Sequence, residues 1–312
     1  MRVIRDYQFV EENDKAASAA IGNFDGVHLG HQSVIDLAFK EARANGAPVG
    51  VLTFEPHPRS FFAPQAPAFR LMNSEARENR LEKLGIDLLY EINFNASLSE
   101  LTPEDFAQKI ICDGLALKHV VVGTDFCFGK NRSGDVNDLR RFGKELGFGV
   151  TIAPLISTGL NEVSSTSIRK SLSKGLPRDA AEQLGHFHRI EGQVIGGEQR
   201  GRELGYPTAN ISMDGLHLPK LGVYAVLVDI LDGPFKGSFR GAASLGVRPM
   251  FGENTANLET FLFDFAGDLY GAHISVALVD FLRPELKFDR LQNLIDQMAV
   301  DCDQAYKILN VL

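Results

Sequence analysis

Near residue 185 the hydrophobic pattern changes its period, and that change dictates two differently built domains. Before it, short apolar runs at 17–22, 49–54, 88–92, 120–123 and 150–153 alternate with helical patterns. Continuously apolar runs of that length read as strands buried on both faces. Between the first two, Val34, Ile35, Ala38 and Ala42 recur at the 3.6 period and predict a helix over 30–45, ended by Gly46. Helices are also predicted over 74–84 and over 103–112, the latter with Thr102 as N-cap and Pro103 in the first helical position. Strand–helix–strand alternation implies right-handed crossovers and a parallel sheet. After about residue 186 strand follows strand, at 190–195, 223–230, 237–245, 258–265 and 273–281, with turn residues such as Asp232 and Gly233 between them. That is the pattern of a small antiparallel sheet or barrel. Phe288, Leu291, Ile295, Met298, Cys302, Ala305 and Leu309 then predict an amphipathic helix that covers it. Met298 and Cys302 read there as core rather than as metal ligands. The expected organisation is an α/β domain over 1–185 and an all-β domain over 186–312.

Charge and composition remove several classes of function. The net charge is −8, from 32 basic and 40 acidic residues, which argues against a broad nucleic-acid surface. No apolar run approaches the roughly 18 residues that span a bilayer. The first fourteen residues hold no apolar core of a secretion signal. Cys112, Cys127 and Cys302 are odd in number and far apart, and suit neither a disulfide framework nor a structural zinc site. A soluble protein of the reducing cytoplasm is expected.

The strongest local signal is Gly22-Asn23-Phe24-Asp25-Gly26-Val27-His28-Leu29-Gly30-His31, where the first strand gives way to the first helix. In an open parallel sheet ligands bind at such strand ends. Gly22, Gly26 and Gly30 allow close backbone approach. His28 and His31, three apart at a helix start, can face one side, and the free N–H groups there attract phosphate. A His-x-x-His pair alone would also suit zinc or no ligand at all. Downstream, Thr53-Phe54-Glu55-Pro56-His57-Pro58 follows the second strand, and Pro56 and Pro58 stiffen a loop that His57 could simply cap. Val122-Gly123-Thr124-Asp125-Phe126-Cys127-Phe128-Gly129 follows another strand. Ser164, Ser165 and Thr166 place hydroxyls at a helix start, and Arg169, Lys170, Lys174 and Arg178 follow without an acid.

These four segments resemble, in order, the G-x-F-D-G-x-H-x-G-H-Q, T-F-x-P-H-P, V-G-x-D-F-x-F-G and S-S-T-x-I-R motifs of bacterial bifunctional riboflavin kinase/FAD synthetases. The resemblance implies a Rossmann-like nucleotidylyltransferase domain. In it Gly22, Phe24, Asp25, Gly26, Gly30, Ser164 and Thr166 would bind ATP, with His28, His31 and Arg169 as catalytic residues. Phe54, Pro56, His57, Pro58, Asp125, Phe126 and Phe128 would take the flavin, although phenylalanine is mostly core and Asp125 could instead order its loop.

The second half opens on a glycine-rich stretch that includes Gly196, Gly201 and Arg202 and runs into Pro207-Thr208-Ala209-Asn210. It is neither a P-loop nor a dinucleotide fingerprint. The tetrad resembles the P-T-A-N of riboflavin kinases, whose Thr and Asn hold the magnesium of MgATP. The resemblance therefore implies a β-barrel riboflavin kinase domain with Thr208 and Asn210 as metal ligands. Gly196, Gly201 and Arg202 would contact ATP, and Arg283 in Arg283-Pro284-Glu285 would contact flavin. Glu259 interrupts an apolar strand, as the family's catalytic base does. One departure stands out: Met250 occupies the place of the family's Thr in R-P-T-F. The implied activity is phosphorylation of riboflavin to FMN, then adenylylation of FMN to FAD, with ATP as co-substrate in both and Mg²⁺ as cofactor. Two alternatives stay open, an adenylyltransferase with a weakened kinase and a flavin sensor without turnover. Expected partners are these small molecules, with no nucleic acid or membrane, and weak self-association as an open point.

Overall fold

The structure, a computed structural model, describes residues 1–158, 161–196, 206–250 and 253–312. The chain forms two compact units, one of residues 1–67 and 77–163, the other of 68–76 and 164–312.

The first unit is built on a parallel sheet. Its strands are β1 (Arg2–Ile4), β2 (Ser18–Ile21), β3 (Val49–Glu55), β4 (Leu88–Asn93), β5 (His119–Gly123) and β6 (Gly149–Ala153). They lie in the order β1-β4-β3-β2-β5-β6, and every neighbouring pair is parallel. The order runs outward one way from β2 through β3 and β4, then restarts on its other side with β5. That reversal leaves a crevice beyond the carboxyl ends of β2 and β5. Helix α1 (Leu29–Asn45) buries Val34, Ile35, Ala38 and Ala42, as its periodicity predicts. It ends on Gly46 at φ 57°, a left-handed cap that glycine adopts without steric cost. The predicted helix from Pro103 starts as expected, with the Thr102 hydroxyl accepting the Asp105 N–H, but beyond Phe106 it widens into a π-helix over Ala107–Gly114. A short hairpin of β7 (Ser157–Thr158) and β8 (Asn161–Glu162) follows the sheet.

The second unit is antiparallel. β9 (His188–Gln193), β10 (Thr208–Ser212), β11 (Gly222–Ile230), β12 (Gly237–Met250), β13 (Glu253–Leu262) and β14 (His273–Arg283) pair in the order β10-β13-β12-β11-β14-β9. The sheet curls until its edges meet: the Ile195 N–H beyond β9 donates to the Asn210 carbonyl of β10 at 2.9 Å. Strand alternation sorts the two faces. Tyr224, Val226, Val228 and Ile230 of β11 enter the barrel core with Ile211, Leu245 and Leu258. Ala225 points the other way and packs with Ala242 and Val279 under Ala305 and Leu309 of the C-terminal helix, Leu291–Leu309. Cys302 sits against this layer, and burial pushes its thiol up to about 11, which suits packing rather than reactivity. Helices Ser165–Ser173 and Pro177–Leu184, which lie before the change of period, pack within this second unit. Ile168, Leu172, Ala180 and Leu184 share a small core with Leu71.

Candidate active sites

In the first unit three sequence motifs leave the carboxyl ends of parallel strands. Beyond β2 the Gly22 N–H donates to the Leu52 carbonyl, and the chain then turns sharply through Phe24 (φ 50°), Gly26 (φ 89°) and Val27 (φ 43°). Left-handed conformations strain non-glycine residues, most of all a β-branched one. Packing holds them here, with Phe24 and Val27 fully buried. The Gln32 side-chain amide also donates to the Val27 carbonyl at 2.8 Å, and the Thr53 hydroxyl to the Asn23 carbonyl at 3.3 Å.

This turn delivers His28 to the N-cap of α1. Its Nδ1 accepts the His31 N–H at 3.3 Å, so in the neutral ring the proton sits on Nε2. The two imidazoles stack with centroids 3.6 Å apart and planes 17° from parallel. Burial, and secondarily the neighbouring His28, hold the His31 pKa well below 6.5. With His31 held neutral, the stacked pair at a helix N-terminus offers N–H donors to an anion. His31 Nδ1 is buried without a hydrogen-bond partner among the described residues. A Cβ at Gly30 would lie 3.2 Å from both Nδ1 and Cε1 of His28, so any larger residue would press the ring a few tenths of an ångström aside.

Beyond β3, His57 caps the short helix α2 (Pro58–Phe62) by accepting the Arg59 N–H on Nδ1 at 3.0 Å, and the Glu55–Pro56 bond is cis. Beyond β5, Phe126 closes a turn on the Gly123 carbonyl and Asp125 is exposed. The predicted aromatics Phe54, Phe126 and Phe128 are joined into one path by Phe106, which the sequence did not single out. Phe54 meets Phe106 at 6.3 Å, Phe106 meets Phe128 at 5.6 Å, and Phe128 stacks on Phe126 at 5.5 Å. Phe128 is buried in the core, whereas Phe54 and Phe126 keep part of their surface exposed. Sequence reasoning overlooked the support of the β3 loop. Arg77 on α3 (Ser74–Lys83) is fully buried and donates from Nη2 to Glu55 at 2.9 Å and to Glu91 at 2.7 Å. In the sequence Arg77 is one of two arginines in a strongly charged helix, with nothing to set it apart from Arg80.

In the second unit, Ser164 caps the helix Ser165–Ser173 by accepting the Ser167 N–H. Arg169 on that helix donates to the Phe69 carbonyl at 3.3 Å and to the Thr166 hydroxyl at 3.4 Å, with its guanidinium 5.7 Å from the Phe69 ring.

The barrel site stands on strands. Thr208 and Asn210 are two apart on β10, so they share a face. Asn210 lies directly opposite Glu259 of β13, which in turn lies opposite Ser244 of β12. Their neighbours Ala209, Leu258 and Ala243 point into the core, so Thr208, Asn210 and Glu259 project on the other face. The Asn210 carboxamide is held at both ends. Its Oδ1 accepts from Asn257 Nδ2 at 2.9 Å, and its Nδ2 donates to the Thr208 carbonyl at 3.3 Å. Arg283 is gripped by Asp301, with Nε and Nη2 donating at 2.8 and 2.6 Å, and its Nη1 donates to the Pro284 carbonyl. Gly196 is exposed just past the barrel seam, whereas Gly201 and Arg202 lie outside the described residues. Met250 ends β12, and its side chain lies outside the description.

Comparison with known proteins finds two families along the chain. The FAD synthetase family matches residues 10–167 and the riboflavin kinase family residues 184–309. A bifunctional riboflavin kinase/FMN adenylyltransferase from Pseudomonas fluorescens is 39% identical over 98% of this chain and 96% of its own length. Its namesake from Escherichia coli is 35% identical over 96% of both chains. A solved structure described as a macrolide-efflux protein from Streptococcus pneumoniae matches with a TM-score of 0.82 and 32% identity, over 96% of each chain. Efflux is said of that protein; among the described residues here no helix is long and apolar enough to cross a membrane.

Proposed function

The chain belongs to the bifunctional riboflavin kinase/FMN adenylyltransferase family, and from that premise we propose how its residues divide the two reactions. Riboflavin kinase converts riboflavin and ATP to FMN and ADP. The adenylyltransferase converts FMN and a second ATP to FAD and pyrophosphate. We assign adenylylation to residues 1–185 and phosphorylation to 186–312, a division supported by the two family matches.

The observation that carries the kinase assignment is the register of β10 and β13, which sets Asn210 directly opposite Glu259. Glu259 accepts the proton of the riboflavin 5′-hydroxyl as that oxygen attacks the γ-phosphorus of ATP, and ADP leaves. The donor set suits a hard cation. Thr208 and Asn210 offer oxygens on one face, and the buried Asn257 Oδ1 beside Asn210 has no hydrogen-bond partner among the described residues. Thr208 and Asn210 would hold Mg²⁺, which when bound neutralises phosphate charge. Gly196, Gly201 and Arg202 belong to the ATP side of this site. Arg283, fixed by Asp301, would present its guanidinium to the flavin.

For adenylylation the FMN phosphate attacks the α-phosphorus of ATP and pyrophosphate leaves. His28 and His31 donate to the phosphates from the start of α1, and Arg169, Ser164 and Thr166 contribute further donors. This is electrostatic stabilisation of developing charge rather than covalent catalysis. Gly22, Phe24, Asp25, Gly26 and Gly30 shape that cradle. Phe54, Pro56, His57, Pro58, Asp125, Phe126 and Phe128 line the flavin side. Cytoplasmic residence fits the three free cysteines. Exposed Leu291, Val300 and Tyr306 on the C-terminal helix support weak self-association.

Incubation with riboflavin and MgATP tests the whole reading, with FAD as the expected final product. FAD formation only when FMN is added would remove the kinase assignment and favour the adenylyltransferase alternative. Binding without release of ADP or pyrophosphate would favour a sensor.

A further inference from the structure

We propose that His217 is a positioning residue for Arg169, so that a side chain from the kinase half of the sequence prepares the adenylyl-transfer half. The inference rests on the reading of Arg169 as a contact to the ATP phosphates.

Three chain segments of the second unit meet at Arg169. His217 Nε2 lies 3.1 Å from the Arg169 carbonyl and 3.1 Å from the Ser173 hydroxyl. A carbonyl oxygen only accepts, so Nε2 carries the proton and donates to it. Burial is the largest influence on this ring and lowers its pKa, which keeps the imidazole neutral near pH 7. The main chain of the same residue faces the other way: the His217 N–H donates to the Arg70 carbonyl at 2.7 Å, and Leu216 bridges to Arg70. One residue earlier, the Phe69 carbonyl accepts from Arg169 Nη1. His217 thus ties together the helix that carries Arg169 and the segment that receives its guanidinium. Arginine has many rotamers to lose, and a charge contributes most to a transition state when it is already in place. Among the described residues, the hydrogen bonds of the His217 ring go to Arg169 and Ser173 and to no kinase residue assigned above.

The test uses the full-length protein and measures both reactions separately. His217→Leu removes the donor, and kcat/KM for ATP in FMN adenylylation should fall about tenfold, the scale of one lost hydrogen bond to a key group. Riboflavin phosphorylation and the melting midpoint should stay within error of the parent. His217→Gln, which keeps an N–H near the same carbonyl, should recover most of the loss. In an Arg169→Ala background, His217→Leu should cost nothing further, because the residue it positions is gone. Equal loss of both activities in His217→Leu, or a full additional loss in the double variant, would show a merely structural ring and overturn the proposal. If Arg169→Ala impairs adenylylation while His217→Leu does not, only the positioning role falls. If Arg169→Ala leaves adenylylation intact, the phosphate assignment itself falls, and the positioning role with it.

Discussion

In the first unit the candidate reactive groups stand on loops beyond strand ends, whereas in the barrel they stand on the strands themselves. His28 and His31 depend on a turn with three left-handed positions, Phe24, Gly26 and Val27, and on a helix start. Thr208, Asn210 and Glu259 depend on cross-strand register. A loop site is therefore sensitive to local shape, and a strand site to which residue faces which. The two should fail differently when perturbed.

The largest expected effects separate the sites outright. Glu259→Ala should lower riboflavin phosphorylation by about 10²–10⁴-fold, the usual contribution of a general base, while FAD still forms from supplied FMN. The paired replacement of His28 and His31 by Ala should do the reverse. Product chromatography after each half-reaction reads both, and loss of both activities from either folded variant breaks the two-site division. A smaller effect probes shape alone. Gly30→Ala adds one methyl group against the His28 ring. It should reduce adenylylation about tenfold, through a displaced donor, and leave phosphorylation unchanged. Unaltered adenylylation kinetics would mean that the ring position is not critical.

The smallest expected effect concerns acid stability and applies to both units. Folded His31 is held well below 6.5, and folded His188 is pushed down to about 3, chiefly by burial. Unfolded histidine titrates near 6.5, so below that pH the unfolded chain binds protons that the folded chain refuses. Stability from these groups is complete above about pH 6.5 and falls by roughly 1.4 kcal/mol per histidine for each pH unit below it. Melting midpoints at pH 5.5 and 7.5 should differ. His31→Gln and His188→Gln should each flatten that difference, and an unchanged pH slope in either variant would sink the assignment for that residue.

Much of the architecture was legible because it follows from apolar periodicity. The predicted strand at 49–54 is Val49–Glu55, and the predicted helix over 30–45 is Leu29–Asn45. The misses have identifiable causes. β1 is three residues long, too short for any period. Helix Val136–Leu146 carries a capping box at Asp135 and Asp138 and a left-handed Gly147 stop, signals that went unused. The π-helical stretch needs i→i+5 bonds that hydrophobic spacing does not encode. The Thr208–Ser212 segment read as a motif and not as the strand it is. At the sites, motifs located the reacting groups, but their supports came from far along the chain. Arg77 under Glu55, Asp301 on Arg283 and His217 at Arg169 are tertiary pairings with no local signature.

Val27 carries one last consequence. A β-branched residue at φ 43° costs about 1–3 kcal/mol, and full burial of a valine side chain returns roughly 1.5–3 kcal/mol. The turn before His28 is thus held by the core beneath it and not by its own preferences. The segment that makes this chain recognisable is consequently not portable. Grafted onto another scaffold, or made as a free peptide, the same residues would relax into ordinary backbone and the paired imidazoles would part.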